Sequence, residues 1–289
     1  MTTKPYKVAL IQMRCFPDKE KSLSSAVKFL EEAAAKGADI ACLPELFLTD
    51  YFCQTENPDL FDLAEPIPGP TTEVLSKLAK KLKMIIIGSI FEKRAHGIYH
   101  NTNVIFEKDG SVQGIYRKMH IPHDPRFYEK YYFTPGDLGY KNFDTSVANI
   151  GTLICWDQWY PEGARLTALK GAEILFYPTA IGWQHEEKAQ VGKEQADAWE
   201  VVQRSHAIAN GVFVCAVNRI GHEKDIEFWG NSFIVDPYGK IIAKASSDKE
   251  EVLIAEIEPK LVEQKRKYWP FFRDRRVDSY EGITKRYDE

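Results

Sequence analysis

The side chain best suited to covalent chemistry in this sequence is the thiol of Cys155, which stands where the apolar run 147–154 ends. A helix-start signal follows, because Pro161 suits the first helical position and Glu162 the first turn. A thiol at such a turn lies near the positive end of a helix, and this position favours the nucleophilic thiolate. An isolated cysteine does not establish catalysis, so the hypothesis depends on partners elsewhere in the chain.

Three charged residues stand out beside apolar runs, as Cys155 does. Glu45 follows a short apolar run, Lys118 follows a hairpin strand, and Glu129 lies in the aromatic-rich segment 120–136. A cysteine nucleophile needs a proton acceptor and a cation or donor for the oxyanion, and these residues supply both. Any one of them alone is more often a solvated loop residue. Because strand ends form the ligand crevice of α/β sheets, the set as a whole indicates one site.

Apolar runs of strand length alternate with helical patterns, which predicts an α/β fold. The pattern predicts helices at 22–36, 71–83, 161–170 and 193–209. It predicts strands at 7–13, 38–43, 84–90, 103–107, 112–116, 148–154, 173–177, 212–218, 232–235, 241–245 and 252–256, with hairpin turns at 108–110 and 236–239. So many strands with four helices indicate two packed sheets with helices outside, in one domain.

Composition describes an ordinary soluble protein of 289 residues, with 44% apolar residues and a net charge of −4. The mild acidity argues against a nucleic-acid partner, and no apolar run is long enough for a membrane span. The start lacks a secretory pattern, so we expect a cytoplasmic protein with a small-molecule substrate. The five cysteines form no CxxC pair and are expected to be reduced thiols. From residue 260 the chain becomes basic and aromatic, which predicts a domain at 1–259 and a C-terminal arm at 260–289 packed on the body or on a partner subunit.

Four segments resemble the nitrilase, or carbon–nitrogen hydrolase, superfamily: LPEL, YRKMHIP, ICWDQWYPE and WGNSFIVDPYGKIIA. The resemblance implies a four-layer αββα sandwich and a catalytic triad of Glu45, Lys118 and Cys155, with Glu129 positioning the lysine. It further implies attack on a carbonyl carbon, loss of ammonia and hydrolysis of a thioester-like intermediate, with the backbone N–H of Trp156 as an oxyanion donor. No metal or cofactor is required, and a homodimer or larger homo-oligomer is expected.

Longer phrases, among them DPRFYEKYYFTPGD and GAEILFYPTAIGW, resemble the branch of this superfamily that hydrolyses N-carbamoylputrescine to putrescine, ammonia and carbon dioxide. By this resemblance Tyr51, Trp156 and the carbonyl groups of residues 179–182 are expected to contact the substrate. An acidic residue is expected to meet the substrate ammonium, and Glu186 or Glu187 can do so. The sequence is about equally consistent with two solvent-exposed glutamates that precede a helix and contact no substrate.

Several alternatives stay open at this point. A papain-type hydrolase would pair the thiol with His206 or His123, and a metal site would use His120 and His123. Ureido substrates that carry a carboxylate, such as 3-ureidopropionate and N-carbamoyl amino acids, would require a cation such as Arg165 or Lys188. Nitriles, ω-amides and a non-catalytic binding or assembly role are the remaining possibilities.

Overall fold

The computed structural model describes residues 4–288 and contains two six-stranded sheets and one three-stranded sheet. The first sheet has the strand order β15-β1-β2-β3-β4-β5. Its strands are β1 (Tyr6–Gln12), β2 (Ile40–Cys42), β3 (Ile85–Ala95), β4 (Ile98–Phe106), β5 (Val112–Arg117) and β15 (Glu251–Ile257). Strands β1, β2 and β3 are parallel, and β5 runs the same way because β4 is antiparallel to both β3 and β5. The carboxyl ends of β2 and β5 therefore lie at the same edge.

The second sheet has the order β14-β13-β10-β8-β7-β6, and the small sheet has the order β11-β12-β9. The strands are β6 (Asn142–Asp144), β7 (Asn149–Thr152), β8 (Ile174–Thr179), β9 (Gly182–Gln184), β10 (Phe213–Asn218), β11 (Ile220–Glu223), β12 (Ile226–Trp229), β13 (Phe233–Val235) and β14 (Ile241–Lys244). Strands β7, β8 and β10 are parallel, so their carboxyl ends also share one edge.

Helices cover the outer face of each large sheet. The helices of the described chain are α1 (Lys19–Ala35), α2 (Pro70–Leu82), α3 (Glu129–Tyr132), α4 (Pro161–Leu169), α5 (His185–Asn210) and α6 (Lys260–Tyr268), and 3-10 helices occur at Phe52–Gln54 and Cys155–Trp159 among other places. Helices α1 and α2 pack on the first sheet, whereas α4 and α5 pack on the second. The result is the expected four-layer αββα sandwich.

The alternation of side chains along β1 shows how the layers are joined. Val8 and Leu10 belong to the core between the two sheets, while Ala9 and Ile11 belong to the core beneath α1 and α2. Successive strand residues point to opposite faces, and both faces of this strand are covered. A strand that is covered on both faces needs apolar residues at successive positions, and the sequence has such a run here.

The C-terminal segment begins with α6, which contacts the body of the same chain. Arg266 donates hydrogen bonds to the carbonyl oxygens of Asn210 and Ala172, both at 3.3 Å. The Lys265 ammonium is buried against the ring of Trp269, 3.0 Å from the centroid. The division of the chain at residue 259 stays a prediction.

The sequence pattern predicted α1, α2 and α4 to within a few residues, but it placed the start of α5 at residue 193 instead of His185. The eight residues 185–192 form the polar, largely exposed first turns of that helix, so no apolar stripe marked them. The short strands β6, β9, β11 and β12 were missed for a related reason, since three or four residues give too little alternation. Within residues 4–288, no helix has the length and apolarity that a membrane crossing requires.

Candidate active site

Cys155 opens the 3-10 helix Cys155–Trp159, which joins β7 to α4. Its φ angle is +42°, a left-handed conformation that is costly for a residue with a side chain and is concentrated at functional sites. The thiol is 5% exposed, and its Sγ lies 3.8 Å from the carbonyl oxygen of Ala180, just beyond β8. The expected helix at Pro161 is present, but the 3-10 turn separates it from the cysteine.

The buried carboxylate of Asp157 holds this turn in place. It accepts hydrogen bonds from the backbone N–H of Ile154 at 3.0 Å, from the hydroxyl of Tyr116 at 2.8 Å and from the backbone N–H of His120 at 2.9 Å. Tyr116 and His120 flank Lys118 in sequence. Asp157 therefore ties the cysteine turn to the segment that carries the lysine.

Gln158 fixes the same turn from the side of α5. Its Oε1 accepts hydrogen bonds from Trp199 Nε1 at 2.7 Å and Gln203 Nε2 at 3.0 Å, and its carbonyl oxygen accepts one from His206 Nε2 at 2.7 Å. His206 is thus committed to the backbone of the turn rather than to the thiol. The other histidine of the papain-type hypothesis, His123, is exposed and lies 3.7 Å from Glu56.

Glu45, Lys118, Glu129 and Cys155 come together as one buried set, named here the charge cluster. The ammonium Nζ of Lys118 donates to Glu45 Oε1 at 2.7 Å and to Glu129 Oε2 at 2.6 Å, and all three side chains are at most 1% exposed. Glu45 and Lys118 follow the carboxyl ends of β2 and β5, and Glu129 begins α3. The arrangement brings together the residues that the sequence predicted.

The remaining oxygens of the two carboxylates differ in their partners. Glu45 Oε1 also accepts a hydrogen bond from Asn101 Nδ2 at 2.7 Å, whereas Glu45 Oε2 is buried without a hydrogen-bond partner among residues 4–288. Glu129 Oε1 accepts a hydrogen bond from the hydroxyl of Tyr51 at 2.7 Å. Both oxygens of Glu129 therefore have a hydrogen-bond partner, whereas Glu45 keeps one oxygen that has no such partner in the described chain and can accept a proton.

Burial and mutual charge shift the protonation of the cluster. Burial alone lowers the pKa of Lys118, but Glu129 and Glu45 together raise it well above its usual value, so the lysine is a cation. Burial raises the pKa of Glu129 to about 7, with Lys118 opposing the rise. Burial and the charge of Glu45 raise the pKa of the Cys155 thiol, although Lys118 opposes them. This corrects the expectation of a favoured thiolate, since the resting thiol keeps its proton and a base must remove it.

A cavity of about 410 Å³ opens onto Cys155 and Glu129. Phe127, Trp156 and Trp229 supply much of its aromatic wall. Trp156 thus lies where the sequence predicted a contact with substrate. Tyr51 is fully buried and contacts Glu129 instead, so it supports the cluster rather than lining the cavity.

Two segments that contribute lining residues to the cavity, 122–127 and 182–187, are named here the rim. Arg126 connects the two parts, since its guanidinium donates to Gln184 Oε1 at 2.8 Å and lies 3.3 Å from Glu186. Glu187 lines the cavity, whereas the Glu186 side chain is 68% exposed and faces Arg126. The sequence left open whether Glu186 or Glu187 meets the substrate ammonium. Glu187 lies toward the cavity, whereas Glu186, the first of the two candidates, does not.

The cations and histidines of the alternative hypotheses have other partners. Arg165 lies beside the ring of Phe272 in the C-terminal segment, and Lys188 pairs with Glu227 at 2.5 Å. His120 stacks on Tyr160 with the ring centroids 3.7 Å apart, so it does not join His123 in a shared site.

The sandwich thus gathers two carboxylates, a lysine and a thiol beside a cavity, the set of groups that hydrolysis through a nucleophilic thiol requires. The chain belongs to the carbon–nitrogen hydrolase family, which it matches over residues 7–267. The crystal structure of a carbon–nitrogen hydrolase from Helicobacter pylori G27 superposes with a TM-score of 0.96 at 48% identity, covering 99% of this chain and 100% of that chain.

Two relatives are similar over nearly their whole length. An N-carbamoylputrescine amidase of Arabidopsis thaliana is 44% identical over 285 residues, which cover 96% of this chain and 94% of the relative. A citrullinase of Francisella tularensis subsp. tularensis is 40% identical over 286 residues, which cover 97% of this chain and 99% of the relative. The protein is therefore an enzyme that hydrolyses carbon–nitrogen bonds.

Sequence reasoning missed several buried polar residues that bond to the cluster or to the chain segments that carry it, namely Asn101, Asp157, Gln158, Arg219 and Glu223. Each is a buried polar residue inside or beside an apolar run, and an unexplained polar residue at such a position was the available signal. Their partners are more than 40 residues away in most cases, so the contacts themselves were not visible in the sequence.

Proposed function

We propose that the protein hydrolyses N-carbamoylputrescine to putrescine, ammonia and carbon dioxide. The observation that carries this proposal is the charge of the cavity. Its ionisable carboxylates are Asp124, Glu129 and Glu187, and no arginine or lysine lines it in the described part of the chain. A substrate with a free ammonium group needs such acceptors when it leaves water, whereas a carboxylate would be repelled. The Arabidopsis thaliana relative carries the name of this activity.

The first half of the reaction uses the cysteine and the free oxygen of Glu45. Glu45 Oε2 accepts the thiol proton as Cys155 Sγ attacks the ureido carbon. Lys118 and the backbone N–H of Trp156 stabilise the negative charge that develops on the ureido oxygen. The C–NH₂ bond then breaks, the amine takes the proton from Glu45, and ammonia leaves a thiocarbamate on Cys155.

The second half regenerates the enzyme with water. Glu45 takes a proton from a water molecule, which attacks the thiocarbamate carbon, and the C–S bond breaks with return of a proton to Cys155 Sγ. The product is the carbamate of putrescine, which releases carbon dioxide and leaves putrescine. One substrate and one water thus give one putrescine, one ammonia and one carbon dioxide.

Two carboxylates of the cavity suit the diamine tail. Glu187 and Asp124 are the proposed acceptors for the terminal ammonium, because Glu129 is already bound to Lys118 and Tyr51. Phe127, Trp156 and Trp229 form apolar walls for the four methylene groups, and their ring faces also attract a cation.

L-Citrulline is the second candidate substrate, and one observation favours it besides the similarity to a citrullinase. Arg126 is a guanidinium at the rim, within reach of the lining residue Gln184. It is paired with Glu186 and with Asp225 at 3.2 Å, so it would have to leave both partners to bind a substrate carboxylate. We rank citrulline second for this reason.

A substrate panel tests the proposal. Ammonia release is measured with N-carbamoylputrescine, L-citrulline, 3-ureidopropionate, an N-carbamoyl amino acid and an ω-amide, with Cys155→Ala as the control for contaminating activity. We expect kcat/KM for N-carbamoylputrescine to exceed the values for the other substrates by at least about 100-fold. A factor of this size corresponds to the loss of one charged hydrogen bond together with the desolvation of the carboxylate left unpaired. A preference for citrulline would replace the first candidate with the second.

We further propose that the enzyme acts as a cytoplasmic homodimer or larger homo-oligomer without nucleic-acid or membrane partners. Exposed apolar side chains on α4 and α5, including Leu166, Leu169 and Val201, support association through that face. Light scattering of the full chain and of a chain ending at residue 259 tests whether the C-terminal arm contributes, and an unchanged mass would count against that role.

A further inference from the structure

The guanidinium of Arg219 is completely buried and lies against the backbone of Glu45. It follows β10 in the second sheet, yet it contacts the segment that follows β2 of the first sheet. Nη2 donates to the carbonyl oxygens of Glu45 at 2.7 Å and Leu46 at 2.9 Å, and Nη1 donates to that of Thr49 at 3.2 Å. One side chain therefore holds three carbonyl groups of the segment that carries Glu45.

Glu223, at the end of β11, completes this arrangement. Its carboxylate accepts from Arg219 Nη1 at 2.9 Å, and its Oε2 also accepts from the backbone N–H of Tyr51 at 2.5 Å. The hydroxyl of Tyr51 in turn donates to Glu129. The ion pair thus contacts both ends of the segment 45–51, and each end leads to one carboxylate of the charge cluster.

The segment 45–51 requires such support because it contains no helix or strand of its own. Leu46 has a φ angle of +47°, which is unfavourable for a leucine unless its surroundings impose it. Buried carbonyl groups outside regular structure need partners, and Arg219 supplies them from the connection between β10 and β11.

We propose that the Arg219–Glu223 ion pair is a positioning device that sets the geometry of Glu45 and, through Tyr51, of Glu129 around Lys118. This inference rests on the proposed function for the roles of Glu45 and Glu129. Neither Arg219 nor Glu223 lines the cavity in the part of the chain that the structure describes. The pair therefore acts on the chemical step and not on substrate binding.

The central test removes the ion pair without leaving a buried charge alone. A single loss of one partner leaves an uncompensated buried charge, so the main variant is the double change Arg219→Met with Glu223→Gln. We expect kcat to fall about 100-fold, as for a displacement of roughly 1 Å in a catalytic group, with KM changed less than about threefold. Lys265→Met is the matched control, because it also removes a fully buried cation, in α6, and is expected to keep kcat.

The conservative variant Arg219→Lys separates position from charge. Lysine keeps the charge but has no planar fork to hold several carbonyl groups, so we expect a kcat between those of the wild type and the double variant. Should the double variant fail to fold, Arg219→Lys, which keeps the buried charge paired with Glu223, carries the same test, with near-ultraviolet circular dichroism to verify folding.

A second measurement needs no substrate. The rate of alkylation of Cys155 by iodoacetamide, followed against pH, reports the field that Glu45 and Lys118 place on the thiol. We expect the profile of the double variant to shift and that of Lys265→Met to match the wild type. Folded variants with unchanged kcat and an unchanged alkylation profile would overturn the inference. Failure of the wild type to hydrolyse N-carbamoylputrescine would count against the proposed function alone, since the alkylation profile remains interpretable.

Discussion

The charge cluster and the rim are neighbours, but they are built in opposite ways. In the cluster, Lys118 binds two carboxylates at 2.6 and 2.7 Å, and none of these side chains is more than 1% exposed. At the rim, Arg126 and Glu186 lie 3.3 Å apart with 28% and 68% of their side chains exposed. In the proposed function, the chemistry is carried by the buried cluster and the choice of substrate by the more exposed side chains of the rim.

The difference follows from the cost of burying charge. A buried ion is tolerated only with close partners, so the loss of Glu45, Lys118 or Glu129 leaves an unpaired group. An exposed ion pair contributes little, and its residues can change without loss of the fold. The reaction type should therefore be hard to alter in this scaffold, whereas substrate preference should be easier to alter through the rim.

The largest effect is expected from Cys155→Ala, which removes the proposed nucleophile. Ammonia release should fall by about 10⁴-fold or more, as when the nucleophile of a hydrolase is deleted. The smaller side chain leaves the charge cluster paired, so the thermal midpoint should change little. The measurement is ammonia release together with a melting curve, and residual turnover near the wild-type rate would refute the assignment.

The next effect is expected from Lys118→Met, which leaves Glu45 and Glu129 facing one another in the interior. We expect kcat to fall by about 10³-fold through loss of an oxyanion donor. The free energy of unfolding should fall by about 3–5 kcal/mol because buried carboxylates lose their partner. Urea denaturation and ammonia release measure the two effects.

The matched control for Lys118→Met is a lysine with an exposed ion pair. Lys188 pairs with Glu227 but is 45% exposed. Lys188→Met should therefore change the free energy of unfolding by less than about 1 kcal/mol. Equal losses in the two variants would contradict the contrast between interior and surface charges.

The sequence predicted the cluster better than the rim, and the reason is structural. Glu45, Lys118 and Cys155 each follow an apolar strand pattern, and parallel strands bring their carboxyl ends to one edge. The choice between Glu186 and Glu187 depends instead on the phase of α5. Successive residues of a helix point about 100° apart, so one of the two faces the cavity and the other faces Arg126.

Tyr51 illustrates a second limit of prediction from sequence. Its position relative to Glu129 depends on the irregular segment 45–51 and on Arg219 and Glu223, which lie about 170 residues further along the chain. No local pattern encodes such a contact, because hydrogen bonds between distant loops arise only once both sheets have packed. The sequence therefore indicated that Tyr51 belongs to the site but not which group it contacts.

The pH dependence of stability provides the third test of the comparison, through Glu129. Burial raises its pKa from an ordinary value of 4.5 to about 7, so the folded state binds this proton more tightly than the unfolded state. The contribution of Glu129 to stability is therefore largest below pH 4.5 and is lost as the pH rises through about 7.

Glu129→Gln removes this titratable group. A comparison of the wild type with the variant therefore separates the titration of Glu129 from that of the other groups. Urea denaturation of the wild type and the variant at pH 5 and pH 7.5 gives the change. We expect the wild type to lose stability relative to the variant over this interval. Parallel pH curves for the two proteins would show that Glu129 does not titrate with a raised pKa.

A smaller effect is expected from Glu187→Gln, which removes one proposed acceptor for the substrate ammonium. KM for N-carbamoylputrescine should rise by about 10- to 100-fold, as for the loss of a charged hydrogen bond, with kcat changed much less. Hydrolysis of an uncharged ω-amide should be unaffected. A rise in KM of equal size for both substrates would mean that the residue shapes the cavity but does not recognise charge.

The smallest effect is expected from Glu186→Gln, the neighbouring change on the same helix turn. Its carboxylate is exposed and bound to Arg126, which keeps Asp225 as a second partner, so KM should change by less than about threefold at physiological salt. The variant removes one of the two carboxylates that pair with Arg126 at the rim. The value of kcat/KM for L-citrulline should therefore rise relative to that for N-carbamoylputrescine. Because both variants exchange a carboxylate for an amide at adjacent positions, a larger effect at Glu186 than at Glu187 would reverse the assignment of the ammonium site.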